Sequence, residues 1–237
     1  MTAEAPQKPQ FWRSGPMVCP YLPDREERRL VTFLVPETAR NMFDTLSRAG
    51  FRRSHHMMYR PVCPACSACI PVRIPVDGFV AGRSWRRVLK RNASLQVLDN
   101  PPVPTDEQYA LFIRYQAARH RDSGMAGMTR TDYDQMLTPG PVRTRILEAR
   151  DAEGILRGVM VFDCLQDGFS AVYSFFDPDL ARRSPGTFLI LSLVLKARAE
   201  NLPCVYLGYQ VDGSPGMDYK SRFRPLEKLG FQGWEPF

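Results

Sequence analysis

Residues 143–209 read RTRILEARDAEGILRGVMVFDCLQDGFSAVYSFFDPDLARRSPGTFLILSLVLKARAENLPCVYLGY, and this stretch decides the fold. Three runs rich in apolar and aromatic residues, at 143–150, 155–165 and 169–176, have strand length and short polar connectors, so they predict antiparallel strands. Asp177-Pro178-Asp179 breaks the third run. Ser184 stands at an N-cap position and Pro185 at the first helical position, where its missing N–H has no partner to lose. A helix through Ala199 is expected. A short apolar strand follows at 204–209, then a polar loop and a last segment ending at Trp234. Three antiparallel strands, a helix and a further strand make an α+β layer.

This order resembles the acyltransferase fold named for the GCN5-related N-acetyltransferases. Upstream, Asp99-Asn100-Pro101-Pro102-Val103-Pro104 is too rich in proline to continue a strand or helix, and it reads as a seam. Thr105 with Gln108 is a capping box, opening a helix to about His120 with Tyr109, Phe112 and Ile113 on its apolar face. Before the seam, strands are expected at 29–35, 55–61, 70–76 and 95–98, with helices at 38–49 and 83–92 and Gly50 closing the first. The expected architecture is two related α+β halves, 1–100 and 101–237, of which the second has the clearer acyltransferase pattern.

Charge separates the halves as well. Residues 1–100 hold 16 Lys and Arg against 8 Asp and Glu, and residues 101–237 hold 16 against 17, so the net charge of +7 originates in the first half. Cations that neutralise phosphates release condensed counterions, so this asymmetry suits a polyanionic partner; a solvated basic surface serving solubility is the other reading. No apolar run approaches the roughly 20 residues that span a bilayer. The opening MTAEAPQKPQFWRSG lacks the order of a signal peptide, so a cytoplasmic setting with reduced thiols is expected.

Within the basic half, Cys63, Cys66 and Cys69 form C-P-A-C-S-A-C, and Cys19 lies upstream in C-P-Y. Thiols two residues apart can converge on one soft metal ion, so zinc or an iron–sulfur cluster is one reading; zinc sites more often pair two such knuckles, and a packed loop of reduced cysteines is the other. Cys164 and Cys204 fall inside apolar strands and read as core. In GRSWRRVLKRN, residues 82–92, helical spacing puts Arg83, Arg86, Arg87, Lys90 and Arg91 in one arc, with Trp85, Val88 and Leu89 opposite. Five like charges repel unless an anion lies near, which favours nucleic acid over a solvated helix face.

The last third contains GYQVDGSPGMDYKSRFRPLE at 208–227. C-P-Y-L-P at 19–23, G-F-R-R-S at 50–54, Y-R-P at 59–61, the C-x-x-C-x-x-C run, V-L-K-R-N at 88–92, Y-S-F-F-D-P-D at 173–179 and this segment occur in fixed order. Together they resemble the aminoacyl-tRNA–protein transferases of the N-degron pathway, in their bacterial leucine-transferring branch related to the eukaryotic arginyltransferases. Trp85 departs from the pattern, which has a polar residue there. The resemblance implies transfer of leucine from leucyl-tRNA to the α-amine of proteins that begin with Asp or Glu, with no cofactor required for the transfer itself.

On that reading the cation stripe at 83–91 holds tRNA. Tyr59, Arg60 and Arg73, which flank the cysteines, are expected at the acidic N-terminus, because a guanidinium pairs bidentately with a carboxylate; an internal ion pair is the competing role of each arginine. Tyr209, Ser214, Tyr219, Lys220 and Glu227 are assigned by motif position to the aminoacyl and acceptor end. An aminoacyl ester is already activated, so positioning and oxyanion stabilisation supply most of the rate. His55, His56 and His120 are read as structural, and no catalytic base is identified. Arginine as donor, an acyl-CoA-dependent N-acyltransferase and a metal-dependent RNA-binding module are the alternatives. Against the second, Arg183-Ser184-Pro185-Gly186-Thr187-Phe188 gives only half of a pyrophosphate loop.

Overall fold

The computed structural model describes residues 9–36, 38–119, 127–138 and 140–237, arranged as two compact units. One comprises residues 1–73 and 207–237, the other Ile74–Tyr206. The unit boundaries therefore lie within two strands, and the proline seam expected to divide the chain falls inside the second unit.

The first unit opens with β1 (Trp12–Arg13), β2 (Met17–Val18), β3 (Glu26–Glu27) and β4 (Arg29–Phe33). Helix α1 (Ala39–Arg48) buries Ala39, Phe43 and Leu46, spaced four and three residues apart on one face. Gly50 closes it with φ 82°, and a Cβ there would stand 2.7 Å from Pro71 and 2.8 Å from Leu229; glycine is required on both grounds. Next come β5 (Arg52–Ser54), β6 (Met57–Pro61) and β7 (Cys69–Pro75). The antiparallel order is β1-β4-β6-β5, and β2 pairs with β3 as a separate ribbon.

The second unit begins within β7 and continues with α2 (Arg83–Arg91), β8 (Gln96–Asn100), α3 (Asp106–Arg119), α4 (Arg130–Leu137), β9 (Thr144–Arg150), β10 (Leu156–Leu165) and β11 (Gly168–Phe176). A 3-10 turn, Pro178–Arg183, leads into α5 (Pro185–Ala199) and then β12 (Cys204–Val211). The sheet order here is β12-β11-β10-β9-β8, antiparallel except for the parallel pairing of β11 with β12. A parallel pair needs a crossover, and α5 supplies it. Val159 and Val161 of β10 join Phe112 and Tyr115 of α3 and Tyr133 and Leu137 of α4 in one apolar cluster. Gly158 points the other way, where an added Cβ would stand 3.3 Å from Leu189 of α5. With both faces covered, β10 reads as a continuous apolar run.

The α+β class and most of the expected elements hold. Thr105 and Gln108 exchange the two hydrogen bonds of the expected capping box, at 3.1 and 3.2 Å. The buried face of α3 is turned from the expected one: Leu111, Phe112 and Tyr115 are buried, whereas Ile113 is exposed. Register against α4 and β11 decides this, and local spacing does not carry it. His120, the expected end of α3, lies outside the described residues. Helix α4 is not among the expected elements, although Thr129 and Asp132 form a reciprocal capping box at its start.

After β12 the chain is again in the first unit. A 3-10 turn, Asp218–Arg222, precedes the hairpin of β13 (Glu227–Gly230) and β14 (Gly233–Pro236), and β13 pairs with β7.

Candidate functional site

The four cysteines that the sequence sets 44 to 50 residues apart in pairs, Cys19 against Cys63, Cys66 and Cys69, line one cavity of the first unit. Tyr21, Glu27 and Val211 share the wall. The ribbon of β2 and β3 brings Cys19 toward the C-P-A-C-S-A-C loop: Cys19 Sγ accepts the Leu22 N–H at 3.4 Å, and Cys63 Sγ accepts the Arg28 N–H at 3.5 Å. Burial pushes the Cys69 thiol up to about 12, and the neighbouring thiols Cys19, Cys63 and Cys66 act in the same direction. All six cysteines are free. The donor set is chemically right for a soft metal ion, yet among the described residues no three His, Cys, Asp or Glu side chains are arranged to hold one.

Glu27 and Tyr21 were not singled out in the sequence. Glu27 is buried and takes a bidentate ion pair from Arg29 at 2.7 and 2.8 Å, while the Arg29 guanidinium stacks over Tyr59 at 4.6 Å. The available signal was adjacency: Tyr21 belongs to the C-P-Y motif itself.

The residues assigned to the acceptor end fall into two groups. Tyr209 is buried, and its hydroxyl donates to the carbonyls of Gly50 at 2.9 Å and Tyr59 at 3.2 Å, so it ties β12 to β6 and to the end of α1. Burial raises its phenol well above the ordinary value. Just before it, Gly208 has φ 75°, and a Cβ there would stand 2.7 Å from Arg52. Lys220 is 6% exposed and donates to the Tyr209 carbonyl at 2.5 Å and to Met217 Sδ at 3.2 Å. Among the described residues it has no carboxylate partner, and burial, with the Arg52 charge, lowers it to about 7. Ser214 is buried in the loop between β12 and the 3-10 turn, and Tyr219 is exposed beside Lys220.

Glu227 has a different partner. It accepts from Arg73 at 2.7 Å, across the pairing of β13 with β7, and the Arg73 guanidinium stacks on Trp234 at 4.4 Å. Two residues assigned to different pockets thus form the internal ion pair that was the competing role of Arg73. Arg60 is half-buried on β6 and donates to the Ala49 carbonyl at 3.0 Å. Tyr59 lies next to it, its ring 6.4 Å from that of Tyr209.

The basic helix α2 belongs to the second unit. Arg83, Arg86, Arg87, Lys90 and Arg91 are all exposed, Val88 is buried, and Trp85 and Leu89 are half-buried, as the helical spacing requires. The loop into α5 departs from a loop that would hold an acyl-CoA pyrophosphate. Pro185 has no N–H, Phe188 is buried, and the face of Gly186 looks at the Phe176 ring, 3.2 Å from an added Cβ.

Residues 17–87 match the family described as arginine-tRNA-protein transferase, N terminus, and residues 107–230 match its C terminus. An aspartate/glutamate leucyltransferase of Azorhizobium caulinodans is 48% identical over 99% of this chain and 98% of its own length. The enzyme of that name from Paramagnetospirillum magneticum is 48% identical over 96% of this chain and 93% of its own length. Among solved structures, a C-terminal DUF2156 domain from Agrobacterium fabrum superposes with a TM-score of 0.51 at 16% identity, covering 90% of this chain and 82% of that one.

Proposed function

The chain belongs to the arginine-tRNA-protein transferase family, and we propose that it moves leucine from leucyl-tRNA onto the α-amine of proteins that begin with Asp or Glu. The observation that carries this reading is the near-full-length identity with the leucyltransferases, over both the cysteine-bearing and the α5-bearing parts of the chain. It is a transferase, and its acyl donor is already an activated ester. The acceptor amine attacks the ester carbonyl and a tetrahedral oxyanion forms. The bond to the terminal ribose oxygen of tRNA then breaks as the amide is made. The amine gives up a proton, and the ribose hydroxyl takes one. An α-amino group has a pKa of about 7.7–8.0, so a useful fraction is free base near neutrality, and placement rather than strong activation is what the protein must supply.

Lys and Arg on α2 hold the tRNA backbone, for which their exposure and shared face are the support. Because Arg73 is committed to Glu227, Arg60 is the guanidinium we assign to the acidic side chain of the acceptor. Tyr209 and Lys220, joined through the Tyr209 carbonyl, are assigned to the aminoacyl and acceptor end, with Ser214 and Tyr219 on the loop after β12. The reaction belongs in the cytoplasm, where charged tRNA meets protein N-termini, and it marks acceptors for degradation through an N-degron. No helix among the described residues is long and apolar enough to cross a membrane.

The test is incubation of the purified protein with Asp-, Glu- and Ala-starting peptides and, separately, leucyl- and arginyl-tRNA, followed by mass measurement. One added leucine on the acidic peptides alone is expected, and Arg60→Ala is expected to lose the preference for Asp and Glu. Addition of arginine would replace the donor assignment, and no addition from either tRNA would remove the reading.

A further inference from the structure

The cation stripe of α2 does not end with the helix. Asn92, directly after it, is fully buried, and its side-chain amide donates at 2.9 Å to the Val88 carbonyl and at 2.9 Å to the carbonyl of Arg183. Arg91 donates to the carbonyl of Arg182 at 3.3 Å. Two hydrogen bonds from side chains of α2 and its end to main-chain carbonyls therefore pin the end of the Pro178–Arg183 turn to the end of α2, although 91 residues separate them. The side chains of Arg182 and Arg183 are exposed there, beside the five exposed cations of α2.

Elsewhere in the second unit many cations are compensated by carboxylates, although Arg198 donates only to the carbonyls of Val76 and Phe79 and Arg119 lies over the Phe176 ring. Arg114, Arg130, Arg145, Arg150, Arg157 and Lys196 each have a carboxylate partner. Among the described residues, none of the cations on α2 or at 182–183 forms an ion pair. Seven like charges held on two mutually fixed elements repel one another in the free protein, and an array of phosphates relieves that repulsion. The exposed side chains of 83–91 and 182–183 include no large apolar residue, so the surface has nothing to insert into lipid and suits a nucleic-acid backbone better than a membrane.

We propose that Arg182 and Arg183 form, together with the α2 stripe, a two-element clamp on the sugar–phosphate backbone of the donor tRNA. This rests on the reading that the donor is a charged tRNA. The turn is built to present these side chains: Asp177 caps its start by accepting the Asp179 N–H at 3.1 Å, and Ser184 at φ 57° ends it before α5. Asn92 acts as a positioning residue, holding the turn through the main chain. Alanine at 182 and 183 therefore leaves both pinning carbonyls in place.

The experiment measures binding of labelled, uncharged leucine-accepting tRNA by the full chain across a salt series. It compares wild type with R182A/R183A, R182K/R183K and R86A/R87A/K90A. Each lost phosphate contact removes about one unit of slope in log affinity against log salt, so R182A/R183A should flatten the slope by about two and the α2 variant by about three. R182K/R183K should keep the wild-type slope, and the effect of R182A/R183A on transfer should lie in KM for leucyl-tRNA with kcat nearly unchanged. An unaltered slope for R182A/R183A beside a flattened one for the α2 variant overturns the clamp and leaves the tRNA reading standing. Unaltered slopes for both overturn the clamp and the role of α2 together. Loss of binding to phosphatidylglycerol vesicles with the tRNA slope intact overturns it in favour of a membrane surface.

Discussion

Two buried charges, each associated with a 3-10 turn that follows a long strand, are handled in opposite ways. Asp177 comes between β11 and the first turn, is 1% exposed, and has guanidinium partners on two sides, Arg114 at 2.8 Å and Arg157 at 2.7 Å. Lys220 lies in the turn after β12, is 6% exposed, and has a carbonyl and a thioether. A buried carboxylate with two cations and a backbone donor has its charge compensated and fastens α3, β10 and the turn together. A buried ammonium with only neutral acceptors retains most of its desolvation penalty and gives up its proton near neutrality. The first arrangement builds a scaffold. The second leaves a group able to change charge under the conditions in which the enzyme works.

The largest expected effect comes from breaking the compensated site. Asp177→Ala leaves two guanidinium groups without their shared carboxylate and removes the cap of the turn, and a loss of about 3 kcal/mol in urea unfolding is expected. A loss below about 0.5 kcal/mol, the level of an ordinary surface substitution, would show that the cluster is not structural.

Lys220 sharpens the comparison through pH. Its folded pKa is lowered from the ordinary 10.5 to about 7. Below pH 7 the lysine is charged in both folded and unfolded chains, and the whole burial penalty acts on the folded state. As pH rises from about 7 toward 10.5 the unfolded chain retains the proton that the folded chain has released, so stability rises by up to about 1.4 kcal/mol per pH unit. Lys220→Met should lack this component, so the stability difference between wild type and variant should grow in favour of wild type between about pH 7 and pH 9. Parallel unfolding profiles over that range would contradict the assignment.

The smallest effect is chemical. With its thiol pushed up to about 12, Cys69 should be the slowest cysteine of the cavity to alkylate at about pH 8, after Cys19, Cys63 and Cys66. Peptide mapping after brief iodoacetamide treatment reads this directly, and first labelling at Cys69 would mean that its thiolate has a stabilising partner.

Much of the site was legible because its signals are short in range. The cation arc of α2 follows from spacing within nine residues, and α2 exposes it as drawn. The capping box at Thr105 and Gln108 is a four-residue pattern. The same rule applied at Thr129 and Asp132 would have found α4, whose Tyr133 and Leu137 are fully buried. Arg73 and Glu227 were assigned to separate pockets because nothing within a few residues of either announces the other; they meet through the pairing of β13 with β7.

By itself the sequence determined the α+β class, the strand and helix order from 143 to 209, the basic face at 83–91 and, through motifs in fixed order, the family. These depend on local periodicity and on residue identity, which neighbouring positions carry. Only the tertiary structure decided that the unit boundaries fall inside β7 and β12, that Lys220 is buried against the Tyr209 carbonyl, and that Arg182 and Arg183 join the face of α2. Each of those depends on register between segments far apart in the chain, and a shift of one residue in a strand would turn every such partner away.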